Sequence, residues 1–168
     1  SVASADNTNA LGQNAVASGE NATAIGHGSE SAGRNSNAFG SSANASADFS
    51  TAVGNSAKAK GVSSTATGFN ALANGNFSTA YGNDAQAKGN RSVAVGYNAR
   101  AEESAVAIGN NSNAGAVNAV AVGAGNVVTG IKSSAFGVGN TVAQANTHVL
   151  GNEIATTQAN SVVVGNKS

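Results

Sequence analysis

The chain has 168 residues, of which 4% are aromatic, contains no Trp, Met, Cys or Pro, and balances eight basic against eight acidic side chains. That composition excludes disulfides and thiolate metal sites, supplies no global field for nucleic acid or an anionic membrane, and argues against a conventional globular core. Ala dominates the 40% counted as hydrophobic; it buries little area at about 25 cal/mol per Å², so stability must come from repetition. No apolar run has the length of a signal-peptide core or a membrane span. Direct membrane insertion by this segment is therefore not expected, and any targeting or anchoring segment is expected outside it.

Self-similarity starts near the first residue and persists to the last. Gly12, Gly26, Gly40, Gly54, Gly68, Gly82, Gly96, Gly109, Gly123, Gly137, Gly151 and Gly165 mark one frame. Every spacing is 14 residues except the 13 from Gly96 to Gly109, which places a one-residue deletion in the loop around Glu102 and Glu103. Such a period signals stacked repeats, here a single repeat domain over residues 1–168.

Within each repeat, the first predicted strand precedes the Gly. Its small position runs through Ala24, Ala38, Ala52, Ala66, Ala80, Ala94, Ala107, Ala121 and Ala135 to Val149 and Val163. The next position is larger: Leu11, Ile25, Phe39, Val53, Thr67, Tyr81, Val95, Ile108, Val122, Phe136, Leu150 and Val164. A second strand follows the Gly, with alternating small residues such as Ala43 and Ala45, Ala57 and Ala59, Ala85 and Ala87. Period-two alternation bounded by Gly and Asn reads as strand and turn. Fourteen residues cannot fold alone, but parallel coils stacked about 4.8 Å apart satisfy one another, and twelve make a rod of roughly 55 Å.

The Ala positions can close a thin interior within one chain. The larger column then forms a stripe along the rod, beyond the few hundred Å² that a soluble monomer exposes, and implies identical chains side by side. Leu11, Ile25, Phe39, Val53, Tyr81, Val95, Ile108, Val122, Phe136, Leu150 and Val164 are the interface candidates. The pattern also admits the opposite assignment of the two faces.

Ser92-Val93-Ala94-Val95-Gly96, Ala105-Val106-Ala107-Ile108-Gly109 and Asn160-Ser161-Val162-Val163-Val164-Gly165 resemble the repeat of YadA-like trimeric autotransporter adhesin heads, and the resemblance spans the chain. It implies an all-β, left-handed parallel β-roll (β-solenoid) of about twelve 14-residue coils, assembled as a homotrimer. It further implies a bacterial cell-surface location, an outer-membrane anchor outside this chain, and attachment to a host protein receptor or extracellular-matrix protein. The early coils depart from the family motif: Asn9, Thr23, Asn37, Thr51, Thr65 and Thr79 stand where it prefers Val. Only the coils at Gly96, Gly109, Gly123 and Gly165 keep Val there, which weakens an expectation of collagen binding. Asn126, Asn140, Ile154 and Gln158 replace Ala or Gly in the last coils and are read as a bend toward a neck.

No cofactor, metal or catalytic site is expected, because a thin Ala-filled rod offers no pocket where polar groups converge. His27 and His148 lie about nine coils apart; His148 near a three-fold axis could meet its copies and hold an anion, while the plain alternative is a solvated or packed side chain. Gly123-Ala124-Gly125 and Gly137-Val138-Gly139 are repeat turns rather than phosphate loops, as neither completes the glycine fingerprint. Sequons at Asn21, Asn44, Asn76, Asn90 and Asn110 follow from composition.

Two groups of outward residues are receptor candidates. Lys58, Lys60, Lys88, Arg91 and Arg100 fall within residues 58–100, a stretch over four successive coils whose only acid is Asp84, a girdle suited to acidic receptors or sulfated glycans, although charge runs are usually solvated faces. Phe69, Leu72, Phe77 and Tyr97 are the apolar anchors, hot spots favouring aromatic groups while scattered exposed apolar residues are also ordinary. Competing readings are an ice-binding solenoid, from the partial ladder Thr23, Thr51, Thr65 and Thr79, and a structural spacer rod.

Overall fold

The computed structural model describes residues 1–167. They form two parallel sheets, one of 12 strands and one of 11, whose strands alternate along the chain. We call the strands preceding the Gly frame the first ladder and those following it the second. Each strand pairs with its counterpart one coil away, as in Thr51↔Thr65↔Thr79 on the first ladder and Lys58↔Leu72↔Gln86 on the second. The chain is therefore a parallel β-solenoid of about twelve coils, the architecture expected from the 14-residue period.

Side-chain direction follows from the two-residue alternation of a strand. In Thr51–Val53, Ala52 points in and is fully buried, whereas Thr51 and Val53 both point out. The same holds from Ala24 to Ala135 on the first ladder, and Ala57 with Ala59 or Ala85 with Ala87 close the interior from the second. The face assignment is thus settled within one chain: small side chains inside, the larger column outside.

Two corners join the ladders. At the Gly corner, Gly82 has φ +134°, and a Cβ there would lie 2.6 Å from the carbonyl oxygen of Gly96. Conformation and close stacking both demand glycine at that position. At the opposite corner, which leads into the buried Ser36, Ser50, Ser64, Ser78 and Ser92, the second turn residue is left-handed in every coil. Asn occupies it in several coils, but Phe49 (φ 58°), Phe77 (φ 57°) and Arg91 (φ 55°) do so in others. Left-handed backbone costs an ordinary residue about 1–2 kcal/mol, so the stacked corner imposes this conformation. Hydrogen bonds between coils hold it there: Phe77 N donates to Val62 O at 2.8 Å and Arg91 N to Asn76 O at 2.8 Å.

The missing residue lies in this Ser corner, between Ala101 and Ala105. Register across it shifts from 14 to 13, with Val93↔Val106 and Arg100↔Asn113 still paired. The Glu103 carboxylate accepts from Asn90 N at 2.9 Å, the role that the Asn90 and Asn76 side chains play toward Asn76 N and Val62 N. A longer side chain thereby spans the shortened turn.

The last coils change their interior. Val128, Val142 and Val149 replace Ala, and Asn126 and Asn140 are fully buried. Asn126 donates to Val122 O and Gly137 O at 2.9 and 2.7 Å and accepts from both amides of Asn140 at 3.0 Å. Asn140 donates in turn to Gly151 O at 2.7 Å and accepts from Ile154 N at 3.0 Å. These Asn residues, expected to bend the chain, instead form a satisfied ladder that continues the stack. The first-ladder strands lengthen here to Ser134–Val138, His148–Asn152 and Val162–Asn166.

Candidate binding surface

The nine receptor candidates lie on the outer face of the second ladder and at the two corners that flank it. Lys58, Leu72, Gln86 and Arg100 are successive register partners on that face. Three residues ahead of Leu72 and Arg100, Phe69 and Tyr97 project from the Gly corner, 55% and 53% exposed. Beyond the second ladder, Lys60 and Lys88 are exposed where the Ser corner begins, and Phe77, 61% exposed, and Arg91 follow on its left-handed position. One coil thus carries Phe69, Leu72 and Phe77 across the wall, with cations on the coils to either side.

Charges on this wall are weakly committed. Lys88 meets Glu102 at 3.8 Å with both side chains more than two-fifths exposed, a pair worth little against solvent and salt. Asp84 accepts a 2.6 Å hydrogen bond from the Asn70 amide, and the Arg100 guanidinium donates to Asn98 Oδ1 at 3.2 Å. Three further residues belong to the same surface and escape the sequence reading: Phe49 and Val62 are exposed at the Ser corner, and Arg34 stands 5.3 Å over the Phe49 ring while reaching Asp48 at 3.5 Å. Phe49 could have been found by counting 28 residues back from Phe77.

The opposite wall is the outer face of the first ladder. Leu11, Ile25, Phe39, Val53, Tyr81, Ile108, Phe136, Leu150 and Val164 are exposed there in a single chain, and Val95 and Val122 are half-buried. Thr51, Thr65 and Thr79 lie beside them in register. The ladder is not a flat hydroxyl face: Asn37 interrupts it, and Phe39 and Tyr81 protrude next to it. His148 is also on this wall, its Nδ1 2.9 Å from the Ser134 hydroxyl, and His27 is exposed at a distant Gly corner.

A regular rod of stacked coils, with an apolar column along its first ladder and exposed cations and aromatics on its second ladder and corners, defines a repetitive β-solenoid. The YadA head domain repeat (2 copies) matches residues 1–29, 31–57, 59–85, 82–99 and 101–126, and the chain belongs to that family of head domains. Its fold is similar to the crystal structure of the collagen-binding domain of the Yersinia adhesin YadA, with 26% identity over 96% of this chain and 82% of that one and a TM-score of 0.58. Among curated proteins no sequence matches the chain.

Proposed function

We propose that this rod is the head of a homotrimeric bacterial surface adhesin that attaches to a host cell-surface receptor or extracellular-matrix protein. An anchor outside these residues would hold it in the outer membrane. The division of the surface carries this reading. The first-ladder wall bears a nearly unbroken apolar column, with Thr67 its one polar member, and such a stripe stabilises best when identical chains cover it. The second-ladder wall is left free, and aromatic anchors beside cations suit protein recognition. Symmetry multiplies weak contacts through avidity.

The Yersinia relative is a collagen-binding domain, so collagen leads the list of matrix proteins to test. The polar residues from Asn9 to Thr79 in place of Val argue for a different preference. Light scattering should return three times 16.0 kDa, and immobilised matrix proteins or epithelial cells should retain the trimer. A stable monomer would sink the assembly. A trimer that binds no host surface, or binds equally well after Phe69→Ala and Phe77→Ala, would leave a spacer rod.

A further inference from the structure

One row of the Gly corner has a pattern that neither stacking nor assembly requires. Asn55, Phe69, Asn83, Tyr97 and Asn110 occupy the same corner position on successive coils, and all five are exposed. Aromatic and amide side chains alternate strictly. Coils advance by about 4.8 Å, so Phe69 and Tyr97 repeat at about 9.6 Å with an amide between and beyond them. The backbone beneath is fixed: Asn70 N, Asp84 N and Asn98 N donate to the carbonyls of Asn55, Phe69 and Asn83, each at 2.9 Å. Recognition groups held this rigidly lose little entropy on binding.

Resting on the adhesin reading above, we propose that this row binds a linear, acidic, β-linked polysaccharide laid along the rod, one sugar per coil. In an extended β-linked chain each sugar advances about as far as one coil, and the same pyranose face returns at every second sugar. The apolar C–H face of alternate sugars would stack on Phe69 and Tyr97. Intervening hydroxyl and acetamido groups meet Asn amides, which donate and accept.

The flanking charge selects an acidic chain. Lys58 and Arg100 project from the second ladder three residues past Asn55 and Tyr97, and the hydrogen bond from Arg100 to Asn98 Oδ1 directs its guanidinium toward the row. The one acid in the row's neighbourhood, Asp84, is engaged by Asn70. A second copy of this chain fits the row poorly, because Asn interrupts the aromatics at every other coil and would be desolvated without partners.

The test uses the full chain in its solution assembly and a hyaluronan octasaccharide, in which glucuronate alternates with N-acetylglucosamine, with the neutral N-acetylglucosamine octamer as comparison. Calorimetry should show binding of the acidic octasaccharide, weaker binding of its tetrasaccharide, and loss of about tenfold in affinity for Phe69→Ala/Tyr97→Ala. Arg100→Gln should weaken binding a few-fold and flatten its salt dependence. All three positions are exposed, and an unchanged melting curve checks that the variants fold. No binding, binding indifferent to the double substitution, or equal affinity for the neutral octamer would each overturn the proposal. Attachment to epithelial cells is measured alongside. Attachment without hyaluronan binding defeats the glycan row alone, whereas loss of both defeats the adhesin reading as well.

Discussion

The coils up to Ala121 and the coils from Asn126 onward share a backbone period but solve the interior differently. In the first region Ala fills most of the interior from both ladders, with buried Ser29, Ser31 and Ser112 replacing it on the second, so stability is a sum of small, similar terms. In the second, Val128, Val142 and Val149 enlarge the apolar filling while Asn126 and Asn140 bond upward and downward along the rod. The matched family segments end at residue 126, where the interior changes. In the Ala-filled coils side-chain hydrogen bonds between coils lie at the corners, as from Asn76 N to Asn90 Oδ1, whereas an Asn-filled coil is tied to its neighbours by directional bonds inside the rod.

Substitutions should separate the two regimes. The largest effect is expected for Asn140→Ala, which strands Gly151 O and Ile154 N. Roughly 3 kcal/mol should be lost, seen as accelerated hydrogen exchange beyond Gly137 and a lower urea midpoint. Retained protection at Ile154 would show that the ladder is incidental. Ala80→Val forces a larger side chain into the Ala interior and should cost about 2 kcal/mol. Its converse, Val142→Ala, leaves a void worth about 1.5 kcal/mol. If denaturant titration finds both neutral, the two interiors do not differ in packing.

The corners sharpen the contrast in the opposite direction. Phe77→Asn relieves a left-handed aromatic residue and should stabilise the rod by about 1 kcal/mol while weakening receptor attachment. Thermal melting and cell binding would then move oppositely, the pattern of strain retained at a functional site. Lys88→Ala, which removes only an exposed ion pair, should change stability by less than about 0.5 kcal/mol.

Sequence periodicity made the architecture legible because the Gly and Ala columns recur wherever stacking leaves no room for anything else. The apolar column from Leu11 to Val164 was equally visible, since alternation alone separates it from Ala. Less visible was the conformation of Phe49, Phe77 and Arg91. None of these is a turn former, and the backbone N–H of each donates to the preceding coil, Phe49 to Arg34 O, Phe77 to Val62 O and Arg91 to Asn76 O. The roles of Asn126 and Asn140 were hidden for a similar reason. As isolated letters they read as interruptions, and only residues a coil away show them to be satisfied.

By itself, then, the sequence determined the coil count, the two strands per coil, the site of the deletion and the separation of small from large side chains, all consequences of local period. The tertiary structure decided which outward residues share a wall, that Phe69 and Tyr97 form an alternating row with three asparagines, and that a buried amide ladder ties the last coils together. Those are relations between residues 11 to 28 positions apart, and they arise only when stacking brings successive coils to within one strand spacing.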